Sequence, residues 1–152
     1  MVAVCTGNIC RSPLAEALLA RACEQRGVAD VEVSSAGTLG QAGWASPPDV
    51  LEVATRRDVD LSHHRSRALG EADLPGAQLV LCAAEQHRRQ VLAELPALDA
   101  SRVVLMNDAL PDAVGLDVLD PHGLDPATHE LVAAVIERAM MAWAERLAAD
   151  RT

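Results

Sequence analysis

The hydrophobic pattern changes period twice within the first thirty residues. Residues 1–4 are a short unbroken apolar run, which predicts a brief buried strand. Residues 5–11, Cys5-Thr6-Gly7-Asn8-Ile9-Cys10-Arg11, keep no period and predict a loop. Ser12-Pro13 predicts a helix start, with the serine as N-cap and the proline at the first helical position. Leu14, Ala17, Leu18 and Ala22 then follow one helical face, and Gly27 is placed to end it.

Residues 31–35 alternate and predict a second strand, and residues 39–48 form a loop rich in Gly and Pro. A second helix is expected over 48–58, starting near Ser46 or Pro47. A third strand is expected over 77–83, a third helix over 85–94 and a fourth strand over 102–106. A loop over 107–124 leads to a terminal helix over 126–149. On that helix Val132, Val135, Ile136, Ala139, Met140, Trp143 and Leu147 fall on one stripe, and a Met and Trp stripe of this kind is core. The β-α-β-α-β-α-β-α order predicts an α/β fold: a four-stranded parallel sheet with helices on both faces. No repeat, low-complexity segment or linker interrupts it, so residues 1–152 read as a single domain.

Composition narrows the function. The 152 residues are one ordinary domain in length, and half are hydrophobic, which excludes an intrinsically disordered chain. No apolar run approaches the roughly 18 residues of a membrane span, and no basic segment precedes an apolar one as in a signal peptide. A formal net charge of −9, with no basic block, argues against nucleic acid as a partner. Four cysteines in a chain without an export signal suggest a reducing, cytoplasmic setting, where thiols are catalytic or buried rather than paired. Lys, Phe and Tyr are absent, and Ile and Asn occur twice each. That bias is expected of a GC-rich, bacterial genome, yet Asn8 and Ile9 stand together in the first loop.

That loop carries the chemistry. A strand, a short loop and a helix N-terminus make an anion trap, because backbone N–H groups converge there and the helix dipole adds positive potential. The loop begins with Cys5 and ends with Arg11. The field that holds an anion also favours a thiolate. Arg11 can grip phosphate oxygens with parallel hydrogen bonds. Gly7 permits close backbone approach, and Asn8 tolerates the left-handed region. A thiolate beneath a cradled phosphate is placed to attack phosphorus and form a cysteinyl-phosphate. Amides and Arg stabilise the charge, so the scheme calls for no metal and no cofactor. The leaving oxygen needs a proton. Asp125-Pro126 lies directly before the terminal helix and reads as its cap. Asp120-Pro121 lies in the preceding loop, on the sheet edge that holds Cys5, which makes Asp120 the expected general acid.

The run Val4-Cys5-Thr6-Gly7-Asn8-Ile9-Cys10-Arg11-Ser12-Pro13-Leu14-Ala15-Glu16 resembles the signature of the bacterial low-molecular-weight protein tyrosine phosphatases. The likeness continues at Ser34-Ser35-Ala36-Gly37-Thr38, Pro47-Pro48-Asp49, His64-Arg65-Ser66-Arg67 and Asp117-Val118-Leu119-Asp120-Pro121, and so spans nearly the whole chain. The resemblance implies a phosphate-binding loop between strand 1 and helix 1, and hydrolysis of phosphotyrosine in proteins or peptides with release of inorganic phosphate. Cys5 would be the nucleophile, Arg11 the phosphate clamp and Asp120 the acid. Thr6, Gly7, Asn8, Ile9, Cys10 and Ser12 would line the phosphate, with Trp44 and His122 at the substrate wall. Ser12 would hydrogen-bond the Cys5 thiolate. Asn8 would be held left-handed by Ser12, Ser35 and His64. Cys10 resembles a second cysteine able to form a protective disulfide with Cys5.

The chain also departs from the family. Aromatic residues usually follow the Asp-Pro pair, where this chain has His122-Gly123. With no tyrosine, regulation by phosphorylation of the family's tyrosines is excluded. The protein-arginine-phosphatase branch resembles the same loop but typically has Thr in place of Ile9. Simpler readings stand beside these. Cys10, Cys23 and Cys82 can be buried hydrophobes, Trp44 can be loop packing, and Arg65 and Arg67 a solvated run. His63 and His64 lack further ligands at zinc spacing. An arsenate reductase of the same fold would need a cysteine shortly after Cys82, where Arg88, Arg89 and Gln90 stand. A phosphate-binding module without catalysis is the remaining alternative.

Overall fold

The structure, a computed structural model, describes Met1–Arg151. Four parallel strands form one sheet: β1 (Val2–Cys5), β2 (Ser34–Gly37), β3 (Val80–Cys82) and β4 (Val103–Leu105), in the order β2-β1-β3-β4. Four helices connect and follow them: α1 (Arg11–Gln25), α2 (Pro48–Thr55), α3 (Glu85–Glu94) and α4 (Pro126–Ala149). The expected α/β sheet and element order are present.

Alternation along β1 shows why helices cover both faces. Ala3 and Cys5 point into a core built with α1, α2 and α4, whereas Val2 and Val4 point into a second core with Val91 of α3. β3 divides the same way, with Leu81 on the first side and Cys82 on the second. Small residues Ala15 and Ala22 on α1, and Ala139 and Ala144 on α4, are almost fully buried and let the two helices approach closely. Trp143 adds a hydrogen bond from Nε1 to the Met106 carbonyl, 2.8 Å.

The strand order reverses beside β1: β2 lies on one side and β3 on the other. Ligands of open parallel sheets bind in the crevice at the carboxyl ends of strands at such a reversal. The loop after β1 lies there. No helix among the described residues is long and apolar enough to cross a membrane.

Several expected boundaries need correction. The second strand lies at Ser34–Gly37 rather than 31–35, because its register is set by pairing with β1; Val31 and Val33 instead pack against the core from outside the sheet. β3 and β4 are shorter than their apolar runs, and α2 ends at Thr55. Ser12 is not an N-cap. α1 begins at Arg11, two residues before Pro13, Cys10 precedes it with no side-chain cap, and Ser12 is fully buried with its hydroxyl directed at the loop. At the other end Gly27, at φ 64°, sits one residue past the cap: its N–H bonds to the Glu24 carbonyl and Val28 N–H to that of Cys23. On α4 the stripe is as expected except for Val135, which is 40% exposed; Ala133 takes the buried position beside Val132. Asp125 does cap α4, accepting from Thr128 N–H at 3.0 Å.

Candidate active site

The loop of residues 5–11 is shaped by a single asparagine. Asn8 is fully buried at φ 53°, a conformation few residues other than Gly and Asn adopt readily. Its side chain makes three hydrogen bonds. Nδ2 donates to Ser12 Oγ (2.9 Å) and Ser35 Oγ (2.8 Å), and Oδ1 accepts from the Arg67 backbone N–H (2.9 Å). His64 Nε2 donates to the Asn8 carbonyl at 2.6 Å. The Ser35 hydroxyl in turn donates to the Glu16 carboxylate at 2.5 Å. Ser12, Ser35 and His64 are thus gathered on Asn8, together with Arg67, which by sequence alone resembles part of a solvated run. Arg67 is a half-buried tether whose Nε also donates to the Ser35 carbonyl, 2.7 Å. Arg65 is exposed.

Backbone carbonyls are turned away from the loop's centre. Thr38 and Leu39 donate to the carbonyls of Cys5 and Thr6, each at 3.0 Å. This leaves amides of the turn free to converge on an anion, at a helix N-terminus that carries no acidic side chain in its first turn. Thr38 and Leu39 follow directly on β2, whose last residue, Gly37, must come very close to the loop. A Cβ on Gly37 would lie 2.6 Å from the Thr6 carbonyl oxygen and 2.9 Å from Asn8 N. Gly37→Ala is therefore expected to lower stability by about 1–3 kcal/mol, read as a lower urea midpoint with unchanged slope. An unshifted midpoint would mean that β2 does not clamp the loop as described.

Cys5 Sγ lies 3.0 Å from Ser12 Oγ, close enough for the hydroxyl to donate to a thiolate. Arg11 is 4% exposed and reaches across the pocket floor. It donates to the Val118 carbonyl at 3.1 Å and pairs with Asp120 at 3.0 Å. Asp120 itself is half exposed. Its loop is anchored on the sheet edge: Asp117 Oδ1 accepts from Glu85 N–H (2.8 Å), and Val118 N–H bonds to the Ala83 carbonyl (2.7 Å). The long segment after β4 thereby returns to the end of β3 and brings Asp120 opposite Cys5.

A pocket of about 170 Å³ is lined by Cys5, Thr6, Gly7, Ile9, Cys10 and Arg11 from the loop, with Asp120 and His122 opposite. Leu39, Gln41 and Trp44 complete its rim. Trp44 and His122 are there as expected from sequence, whereas Leu39 and Gln41, whose loop is tied to Ser66, carry no local signal of it. Ser66 Oγ donates to the Gln41 carbonyl and accepts from Trp44 N–H, both at 2.9 Å. Trp44 is 57% exposed, so it lines the pocket rim open to solvent rather than packing in the core. Also missed was His87, whose Nε2 lies 2.8 Å from Thr6 Oγ1. A histidine in the first turn of a helix following a central strand points to the same edge, and that was the available signal. A larger hollow of about 590 Å³ opens at the other end of the sheet, by Met1, Glu32 and Asp150, and no cysteine lines it.

The other cysteines are distinguishable by place. All four are free and buried. Burial pushes the Cys10 thiol up to about 12, with further upward contributions from Cys5 and Asp120. Cys82 is likewise pushed to about 12 by burial. Its side chain lies on the α3 face of the sheet, whereas Cys5 faces α1 and α4, so the sheet separates the two sulfurs. Cys23 lies in the core under α1. His63 is exposed, His64 is committed to Asn8, and no group of three His, Cys, Asp or Glu residues able to hold a metal occurs among the described residues.

Comparisons with known proteins agree in kind. The family described as low molecular weight phosphotyrosine protein phosphatase matches residues 1–152. The chain is 36% identical over 140 residues to low molecular weight protein-tyrosine phosphatase A of Mycobacterium tuberculosis, covering 90% of this chain and 84% of that one. It is 32% identical over 151 residues to the protein-arginine-phosphatase of Bacillus subtilis, covering 99% and 98%. Among solved structures, a low molecular weight protein tyrosine phosphatase from T. tengcongensis superposes with a TM-score of 0.87 at 31% identity, covering 95% of this chain and 97% of that one.

Proposed function

The chain belongs to the low molecular weight phosphotyrosine protein phosphatase family, and from that premise we propose how its own residues perform the reaction. It is a cysteine phosphatase that hydrolyses phosphotyrosine in proteins or peptides and releases inorganic phosphate. The observation that supports these residue roles is that Cys5 and Arg11, at the two ends of one loop, and Asp120, from a segment distant in sequence, line one pocket.

The phosphoryl group sits in the loop of residues 5–11, with its oxygens on the turn amides and the Arg11 guanidinium. An incoming phosphate competes with Asp120 for Arg11 and frees the carboxyl to face the ester oxygen. The Cys5 thiolate attacks phosphorus. The S–P bond forms as the P–O ester bond breaks, and Asp120 in its acid form protonates the departing oxygen. A water molecule then attacks the cysteinyl-phosphate, giving its proton back to the Asp120 carboxylate. The S–P bond breaks, phosphate leaves, and the thiolate returns with Ser12 donating to it. Thr6, Gly7, Asn8, Ile9 and Cys10 line the phosphate. Charge is neutralised throughout by amides and guanidinium, so turnover is expected to persist in EDTA.

Substrate preference follows from the rim. Ile9 and Leu39 give apolar contacts and Trp44 an aromatic wall for a phenyl ring, while His122 stands where a second wall would be. The similarity to a protein-arginine-phosphatase makes phosphoarginine the competing substrate. An apolar rim favours a ring over a guanidinium by at least about tenfold. Steady-state rates on matched phosphotyrosine and phosphoarginine peptides should show that ratio in kcat/KM, and the reverse preference would move the chain to the arginine branch. We place the reaction in the cytoplasm of a bacterium, as one domain spanning residues 1–152. The four free thiols and the bacterial relatives support this.

A further inference from the structure

His87 takes no part in the chemistry above, yet it lies directly beneath the loop. It is 1% exposed, in the first turn of α3. Its Nε2 is 2.8 Å from Thr6 Oγ1, and Arg11 Nη2 donates to the same oxygen at 3.5 Å. Its Nδ1 is buried and has no hydrogen-bond partner among the described residues. Thr6 lines the pocket next to Cys5.

Donor and acceptor accounting determines how these groups share protons. A threonine hydroxyl has one proton and two lone pairs, and a neutral imidazole carries one proton, on Nδ1 or Nε2. A proton on Nδ1 would leave a buried N–H without an acceptor, which native interiors avoid. A proton on Nε2 donates to Thr6 and leaves only a bare lone pair behind. The Gln86 amide, 3.4 Å from Nε2, meets either tautomer by a half-turn and does not choose between them. An imidazolium is disfavoured: burial, and then Arg11, push His87 down to about 4, against smaller opposing effects of Asp117 and Asp120. With Nε2–H and the Arg11 guanidinium on its two lone pairs, Thr6 has its single proton left over, on the side facing the pocket.

We propose that Thr6 donates this proton to an oxygen of the bound phosphoryl group, and that His87, as its Nε2–H tautomer, is the positioning residue that aims it. The inference rests on the phosphatase reading and deepens it. The loop then holds its substrate with a side-chain hydroxyl as well as amides and Arg11, and the orientation of that hydroxyl is set from α3.

Binding of inorganic phosphate to the full chain, followed by calorimetry, reads this contact without turnover. Thr6→Val and His87→Ala are each expected to weaken phosphate about tenfold, the size of one hydrogen bond to a charged group. The double variant should bind no more weakly than Thr6→Val alone, because His87 acts only through Thr6. In the unmodified protein, nitrogen-15 shifts at neutral pH should report His87 with its proton on Nε2. That measurement needs no substitution and decides the matter even where His87→Ala fails to fold. An Nδ1–H tautomer, fully additive losses in the double variant, or phosphate affinity of Thr6→Val within twofold of wild type would overturn the proposal. If these binding results hold while no phosphomonoester is turned over, the Thr6–His87 contact stands and the phosphatase reading falls.

Discussion

Replacing Cys5 by serine will lower turnover of para-nitrophenyl phosphate by at least about 10⁴-fold, because nucleophile removal eliminates the covalent route rather than weakening it. A serine hydroxyl at this position has no neighbouring base to remove its proton. Sγ lies against Ser12 Oγ at 3.0 Å, a donor to an anion and not an acceptor poised to create one. The substitution is nearly isosteric at a site 2% exposed, so the loop should keep its shape and still bind phosphate. The decisive comparison is therefore phosphate affinity retained beside turnover lost. Activity within tenfold of wild type would place the nucleophile elsewhere. Cys10 and Cys82 would be poor substitutes, since burial keeps both protonated far above neutral pH.

Asp120→Asn should lower kcat by about 10²–10⁴-fold, the usual contribution of a positioned proton donor. The loss should depend on the ester. An alkyl phosphate, whose leaving oxygen cannot depart without a proton, should suffer more than para-nitrophenyl phosphate. Stability should hardly change, because the carboxylate is 51% exposed and an ion pair on that footing contributes at most about 1 kcal/mol. Inorganic phosphate should bind at least as tightly as before, since Asp120 no longer competes for Arg11. A uniform loss across leaving groups, or a weaker phosphate complex with unchanged kcat, would recast Asp120 as a binding residue and leave the acid to be found.

Much of the site was legible because its parts are close in sequence. Residues 5–11 sit between an unbroken apolar strand and a helix, and the anion trap follows from that adjacency alone. Asp125 could be separated from Asp120 by its place directly before the longest helix, and it does cap α4. Long-range partners were harder. Arg67 looked solvated because nothing local reveals that its amide meets Asn8, 59 residues away. His87 is 81 residues from Thr6, and Leu39 and Gln41 reach the pocket because the Thr6 carbonyl holds the Leu39 N–H and Ser66 holds the Gln41 carbonyl. Ser12 misled for a related reason. Its type and the proline after it are those of a cap, but the hydroxyl is drawn to Cys5 and Asn8, and the helix starts before it.

The sequence by itself determined the alternation of strands and helices, the parallel sheet they imply, and the Cys5–Arg11 loop at the head of the first helix, since hydrophobic period and neighbouring residue types are properties of the chain read in order. The tertiary structure alone decided the strand order β2-β1-β3-β4 that opens a crevice at β1, and the sheet face that separates Cys82 from Cys5. It alone set the return of Asp120 to Arg11, 109 positions away in sequence. Those features depend on which surfaces bury one another. Burial is settled between segments distant in sequence, where the entropy of closing the chain is repaid only by packing that no local pattern displays.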